Sequence, residues 1–272
     1  MESLRTVARF KPLPRQHTSS CCVQVNTRKG RVRLRPDDRK DSFTYGSSGL
    51  FSELNFAGPS SSSNRKGSTD YLFDHVFGPN RCASNVEVFE TCISPLVTDA
   101  LNGFRCTCFA YGYVSSGKTH TMHGTRADPG IVACSLRRLF EVIHSYEQQA
   151  RDHRDNPDNT QSGEKKLLFV VKLGFVQLYD GKFYDLLLPP ATTLQQKREL
   201  ATTHVELHDD CLLGSHLRGP LSLRSPVKSV EAAFRLLAKG RRALSRGYRK
   251  GFKGHTIVSL YLERHNLETG KW

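Results

Sequence analysis

Apolar positions along this 272-residue chain recur at two spacings, and their alternation predicts interleaved strands and helices. Residues 4–10 alternate as a short strand does, and Pro12 ends its pairing. Residues 31–35, Arg-Val-Arg-Leu-Arg, set charged against aliphatic positions, the pattern of a half-exposed strand. Residues 71–77 read as another strand, closed by Gly78, Pro79 and Asn80. Val86, Phe89, Ile93, Leu96, Val97 and Leu101 then fall three or four apart, which predicts a helix stopped by Asn102-Gly103. Residues 106–111 form a β-prone apolar run suited to a buried strand, and 119–122 begin a helix. After a turn over 126–130, Ile131, Leu136, Leu139, Phe140 and Ile143 mark the apolar face of a second helix.

The second half repeats the alternation. Residues 167–179 are a long β-rich run and the best candidate for a central strand, followed by a helical turn or short strand over 183–188. Short strands are expected over 205–208 and 217–223. Ser229 is placed to cap a helix with Val230, Ala233, Phe234 and Leu237 on one face, running through Lys239 and stopped by Gly240. Residues 256–262 read as the last strand. Polar stretches at about 55–68 and 148–166 hold too few apolar residues to pack, so both are expected to be flexible loops. The sum is an α/β chain with a mixed central sheet flanked by helices.

Charge narrows the partners. Lys and Arg number 40 against 26 Asp and Glu, a formal net charge of +14, which favours a polyanionic partner: nucleic acid, an acidic membrane surface or an acidic protein face. Between residues 235 and 253 lie Arg235, Lys239, Arg241, Arg242, Arg246, Arg249, Lys250 and Lys253 with no acidic residue, either a solvated basic face or a contact for an acidic surface. No apolar run has the length of a membrane span, and the first ten residues lack the apolar core of a signal peptide, so a cytosolic or nuclear setting is expected. The eight cysteines include no C-x-x-C pair that would suggest zinc, and reduced thiols are expected.

Chemistry concentrates at Gly112, Tyr113, Val114, Ser115, Ser116, Gly117, Lys118 and Thr119. Gly, four residues, then Gly-Lys-Thr is the phosphate-loop pattern: backbone N–H groups surround phosphate oxygens, the lysine reaches the outer phosphates, and the hydroxyl ligates Mg²⁺. A strand before it and a helix after it are what this chemistry needs, because the helix N-terminus adds its positive dipole end.

Several collinear segments together resemble the kinesin motor domain. Ala110-Tyr111-Gly112 before the loop and Thr119-His120-Thr121-Met122 after it follow the family pattern. So do 73–77 (Phe-Asp-His-Val-Phe), 102–104 (Asn-Gly-Phe), 130–132 (Gly-Ile-Val), 175–179 with 184–187, and 227–231. The resemblance implies a P-loop NTPase-type fold over 1–272 as one partial motor domain, with the C-terminal part of that fold missing. It implies ATP and Mg²⁺ as ligands, Lys118 at the β/γ-phosphates, Thr119 on the metal, His120 beside them, and Arg9, Lys11 and Pro12 packed on the adenine. Lys11 stands where the family usually has arginine, and Ser115 replaces a glycine.

The same resemblance shows a departure. The family's first switch, Asn-x-x-Ser-Ser-Arg-Ser-His, is matched at 251–255 by Gly-Phe-Lys-Gly-His, where only His255 survives. The second switch is expected near where the chain stops at Trp272 and is not present in it. Three readings follow. The first is a kinesin-like ATP-binding protein on the cytoskeleton, coupling hydrolysis to microtubule-based movement if completed by further sequence. The second is a non-motile nucleotide-binding cytoskeletal adaptor, and the third and weakest is a basic nucleic-acid-binding protein. A microtubule is the expected partner under the first.

Overall fold

The computed structural model describes residues 4–12, 23–34, 69–78, 82–155, 167–188, 205–211, 214–219, 224–246 and 254–266. The chain divides into two compact units, Met1–Val88 with Gly112–Gly117, and Phe89–Tyr111 with Lys118–Trp272. The loop expected over 55–68 lies outside the described residues.

In the first unit, β1 (Val7–Arg9) pairs in parallel with β5 (His75–Phe77). A meander of β2 (Val23–Asn26), β3 (Arg31–Leu34) and β4 (Thr69–Leu72) is antiparallel throughout. The expected single strand over 71–77 is therefore two, and Asp74 explains the break. Its Oδ2 accepts from the Thr6 backbone N–H at 2.6 Å and from the Thr6 hydroxyl at 2.8 Å, so the chain leaves one sheet and joins β1. Those bonds hold the Asp74 carboxyl below its ordinary range. Gly30 closes the short 3-10 turn Thr27–Lys29 at φ 60°, and a side chain there would overlap the Phe73 carbonyl.

The expected helix over 86–101 forms as α1 (Asn85–Val88), a π-helical stretch Phe89–Ile93 and α2 (Ser94–Leu101). Pro95 accounts for the interruption, since it offers no N–H and its ring crowds the carbonyl four residues back. Phe89, Cys92, Ile93 and Val97 are buried along it.

The second unit is built on β6 (Leu167–Tyr179), the central strand the sequence predicts. It pairs antiparallel with β11 (His255–Asn266) on one side, and with β10 (Ser225–Val227) and β7 (Lys182–Asp185) on the other. Val171, Leu173 and Phe175 of β6 are buried with Leu136, Leu139 and Ile143 of α4 (Ile131–Asp155) and Ala233 and Leu237 of α5 (Val230–Arg246). Val176 on the opposite face packs with Val205, Phe183 and Leu217. A hairpin of β8 (Glu206–Asp210) and β9 (Gly214–Arg218) accompanies it. Parallel and antiparallel pairing thus both occur in the first unit, and the described strand pairs of the second are antiparallel.

Three expectations need correction. Residues 104–111 form no strand: Phe104, Phe109 and Tyr111 are exposed, and no strand among the described residues pairs with them. A β-prone sequence becomes a strand only when a neighbour accepts its hydrogen bonds. Helix α4 continues through Asp155, so 148–155 are helical rather than loop, while 156–166 lie outside the described residues. Finally, Gly240 does not stop α5, which runs on to Arg246. Gly240 is buried against Phe175, whose ring would overlap any side chain, so the glycine serves close approach rather than termination. Ser229 does cap this helix, accepting from the Ala232 N–H at 3.2 Å.

Candidate nucleotide site

The loop conformation follows from its glycines and one strained serine. Gly112, Ser115 and Gly117 have φ of 152°, 63° and 103°, whereas Tyr113, Val114 and Ser116 between them keep negative φ. Across 114–117 the sign of φ alternates residue by residue, the kind of backbone from which anion-binding concavities are built. The Ser116 N–H donates to the Tyr113 carbonyl at 3.2 Å and tightens the turn. A Cβ on Gly112 would lie 2.9 Å from Ser116 Oγ, so the first glycine is needed for space as well as for φ. Ser115 occupies the left-handed region, a conformation that glycine adopts without steric cost.

Lys118 opens α3 (Lys118–His123), and Thr119 follows it, exposed. The loop residues 112–116 are exposed as well, so the concave backbone is accessible to a ligand. No acidic residue occurs between Gly112 and His123, so no carboxylate along this stretch repels a phosphate. Among the described residues no three His, Cys, Asp or Glu side chains form a ready metal cluster.

Within the first unit, β1 carries the residues assigned to the base. The Arg9 guanidinium donates to the buried Asn85 through Oδ1 and to the Ala83 carbonyl at 2.8 Å, so its plane is held in place by α1 and the residues before it. Lys11 Nζ comes within 3.5 Å of the Ser115 carbonyl, which sets the end of β1 against the loop. Pro12 beside it is exposed. Neither Asn85 nor its bond to Arg9 was legible in the sequence, since 76 residues separate the partners and no local pattern marks the pair.

In the second unit, His120 Nε2 lies 3.7 Å from Asp128 Oδ2. The turn that delivers Asp128 is tight: the Thr125 N–H donates to the Asp128 carbonyl at 2.9 Å, and the Asp128 N–H to the Thr125 hydroxyl at 3.1 Å. Sequence reading took Asp128 only as a turn former. His123, at the end of α3, stacks at 6.1 Å on the buried Phe175, and burial, with Arg241 nearby, holds its pKa below 6.5.

The stretch matching the first switch is described only from Gly254 onward. His255 is the first residue of β11, opposite Leu178, and is exposed. Of the basic run, Arg249, Lys250 and Lys253 lie outside the described residues. Lys239 is not a surface charge for a partner, because its ammonium donates to the Leu187 carbonyl. Arg235, Arg241 and Arg242 are exposed on α5.

A glycine-rich loop with alternating φ, followed at once by a lysine, a threonine and a helix, defines a phosphate-loop α/β protein. The kinesin motor domain family matches residues 9–271, and the chain belongs to that family. Kinesin-like protein KIN-8B from Arabidopsis thaliana is 29% identical over 238 residues, 88% of this chain and 23% of that protein. Kinesin-like protein KIP2 from Eremothecium gossypii is 30% identical over 210 residues, covering 74% of this chain and 27% of its own length. A solved fast-kinesin structure superposes with a TM-score of 0.67 at 21% identity, covering 99% of this chain and 62% of that one, which shows the kinesin fold. The chain therefore spans about a quarter of the length of these two curated relatives.

Proposed function

We propose that this chain binds ATP with Mg²⁺ at residues 112–119 and acts at the microtubule cytoskeleton of the cytoplasm. The observation that supports the reading is the alternation of φ sign over 114–117 directly before Lys118 and its helix, a backbone suited to an anion-binding concavity. Lys118 supplies the point charge for the β/γ-phosphates, and the dipole end of the following helix adds to it. His120, 3.7 Å from Asp128, stands on the same short helix as a further polar contact. Arg9, Lys11 and Pro12 are assigned to the adenine, Arg9 already ordered by Asn85 and so spared much of the entropy cost of binding.

Bound Mg²⁺ would neutralise charge on the phosphates, with Thr119 as its protein hydroxyl. Rapid hydrolysis additionally needs groups that orient the attacking water. At 251–255 the chain offers Gly-Phe-Lys-Gly-His, without the serines that do this in the family pattern. The reading is therefore nucleotide binding with slow turnover. In a fluorescent-ATP titration, Lys118→Ala should abolish binding while leaving the circular dichroism spectrum unchanged. Equal affinity in the variant would show that the loop is not the site.

A further inference from the structure

We propose that the β8–β9 hairpin carries a labile transition-metal site, a clip of His208 and His216 that takes Zn²⁺. The register sets His208 directly opposite His216, and their ring centroids lie 6.2 Å apart with a 34° tilt. Side chains alternate along a strand, so Glu206, His208 and Asp210 share the face that carries His216.

The hydrogen bonding favours ligation. His216 Nδ1 lies 3.0 Å from the Gly214 carbonyl oxygen. A carbonyl only accepts, so Nδ1 is the donor to it and Nε2 is the ring nitrogen left for a metal. A backbone carbonyl holding one ring nitrogen is the arrangement that fixes the tautomer of a ligating imidazole and raises its basicity. Gly214 provides that carbonyl from φ 62°, at a position where a side chain would meet the Arg105 guanidinium.

His208 Nε2 stands 3.8 Å from Glu206 Oε2, too long for a hydrogen bond and near enough for a bound cation to draw the carboxylate in. On that face Glu206 and Asp210 are the carboxylates, with Arg218 opposite Glu206 and Arg105 beside Gly214. Among the described residues no three such groups are already assembled around one point. The site is thus two imidazoles completed by water and by Glu206 after side-chain rotation, an open, exchangeable site rather than a closed structural one. Imidazole with carboxylate selects Zn²⁺ over Mg²⁺ or Ca²⁺. Bridging the two strands, the ion would tie the hairpin.

Isothermal titration of Zn²⁺ into the full chain tests the clip. One binding event is expected, weakened at least about tenfold by His208→Asn or His216→Asn, absent in the double variant, and unchanged in Cys211→Ser. Undiminished Zn²⁺ affinity in the double variant, or no binding to the unsubstituted chain, overturns the proposal. Should a variant misfold, amide exchange of the unsubstituted chain decides the matter. Slower exchange over 206–218 with Zn²⁺ supports the clip, and unchanged exchange there at saturating Zn²⁺ overturns it.

Discussion

Ser115 and His123 carry costs that single substitutions expose. At φ 63°, Ser115 crowds its Cβ against the following carbonyl, a penalty of about 1 kcal/mol that glycine escapes. Ser115→Gly is therefore expected to raise the midpoint of denaturant unfolding by about that free energy, while an unchanged midpoint would show that the strain is absorbed elsewhere. His123 bears on pH. Burial first, then Arg241, lowers its folded pKa below the ordinary 6.5, so the unfolded chain binds the proton more readily. The stability this contributes is fully present above pH 6.5 and is lost as pH falls through the depressed folded value. Stability measured from pH 7.5 to 4.5 should show that acid limb, and His123→Gln should flatten it. Neither effect was legible from composition. The serine's φ depends on the loop around it, and the histidine's pKa on β6 and α5.

At the scale of elements, helix α5 shows how packing overrides local rules. Gly240 costs helix propensity, and an isolated helix would gain about 1 kcal/mol from alanine there. Phe175 leaves no room for the added methyl, so Gly240→Ala is expected to destabilise by about 1–3 kcal/mol in thermal unfolding. A stabilised variant would mean that Phe175 moves aside freely. The sequence places β6, α4 and α5 well because each has a long apolar period that packing then satisfies. It misplaces 106–111 and the end of α5 for one reason. Whether β-prone residues pair, and whether a glycine ends a helix, depend on neighbours distant in the chain.

For the whole molecule, family membership and the departure at 251–255 bear on the same activity. If slow turnover is right, ATP hydrolysis should stay far below motor rates and respond weakly to added microtubules in a coupled phosphate assay; strong microtubule stimulation would refute it. The phosphate-loop pattern, the long elements β6, α4 and α5, and the collinear family segments were legible in the sequence alone, because each is written in neighbouring residues. The tertiary structure alone decided that Asp74 splits a strand, that Asn85 orders Arg9, that Lys239 is committed to a carbonyl, and that His208 meets His216. The physical reason is range. Periodicity and loop motifs act over a few residues, whereas hydrogen bonds and close approaches join residues whose separation along the chain carries no signal of their contact.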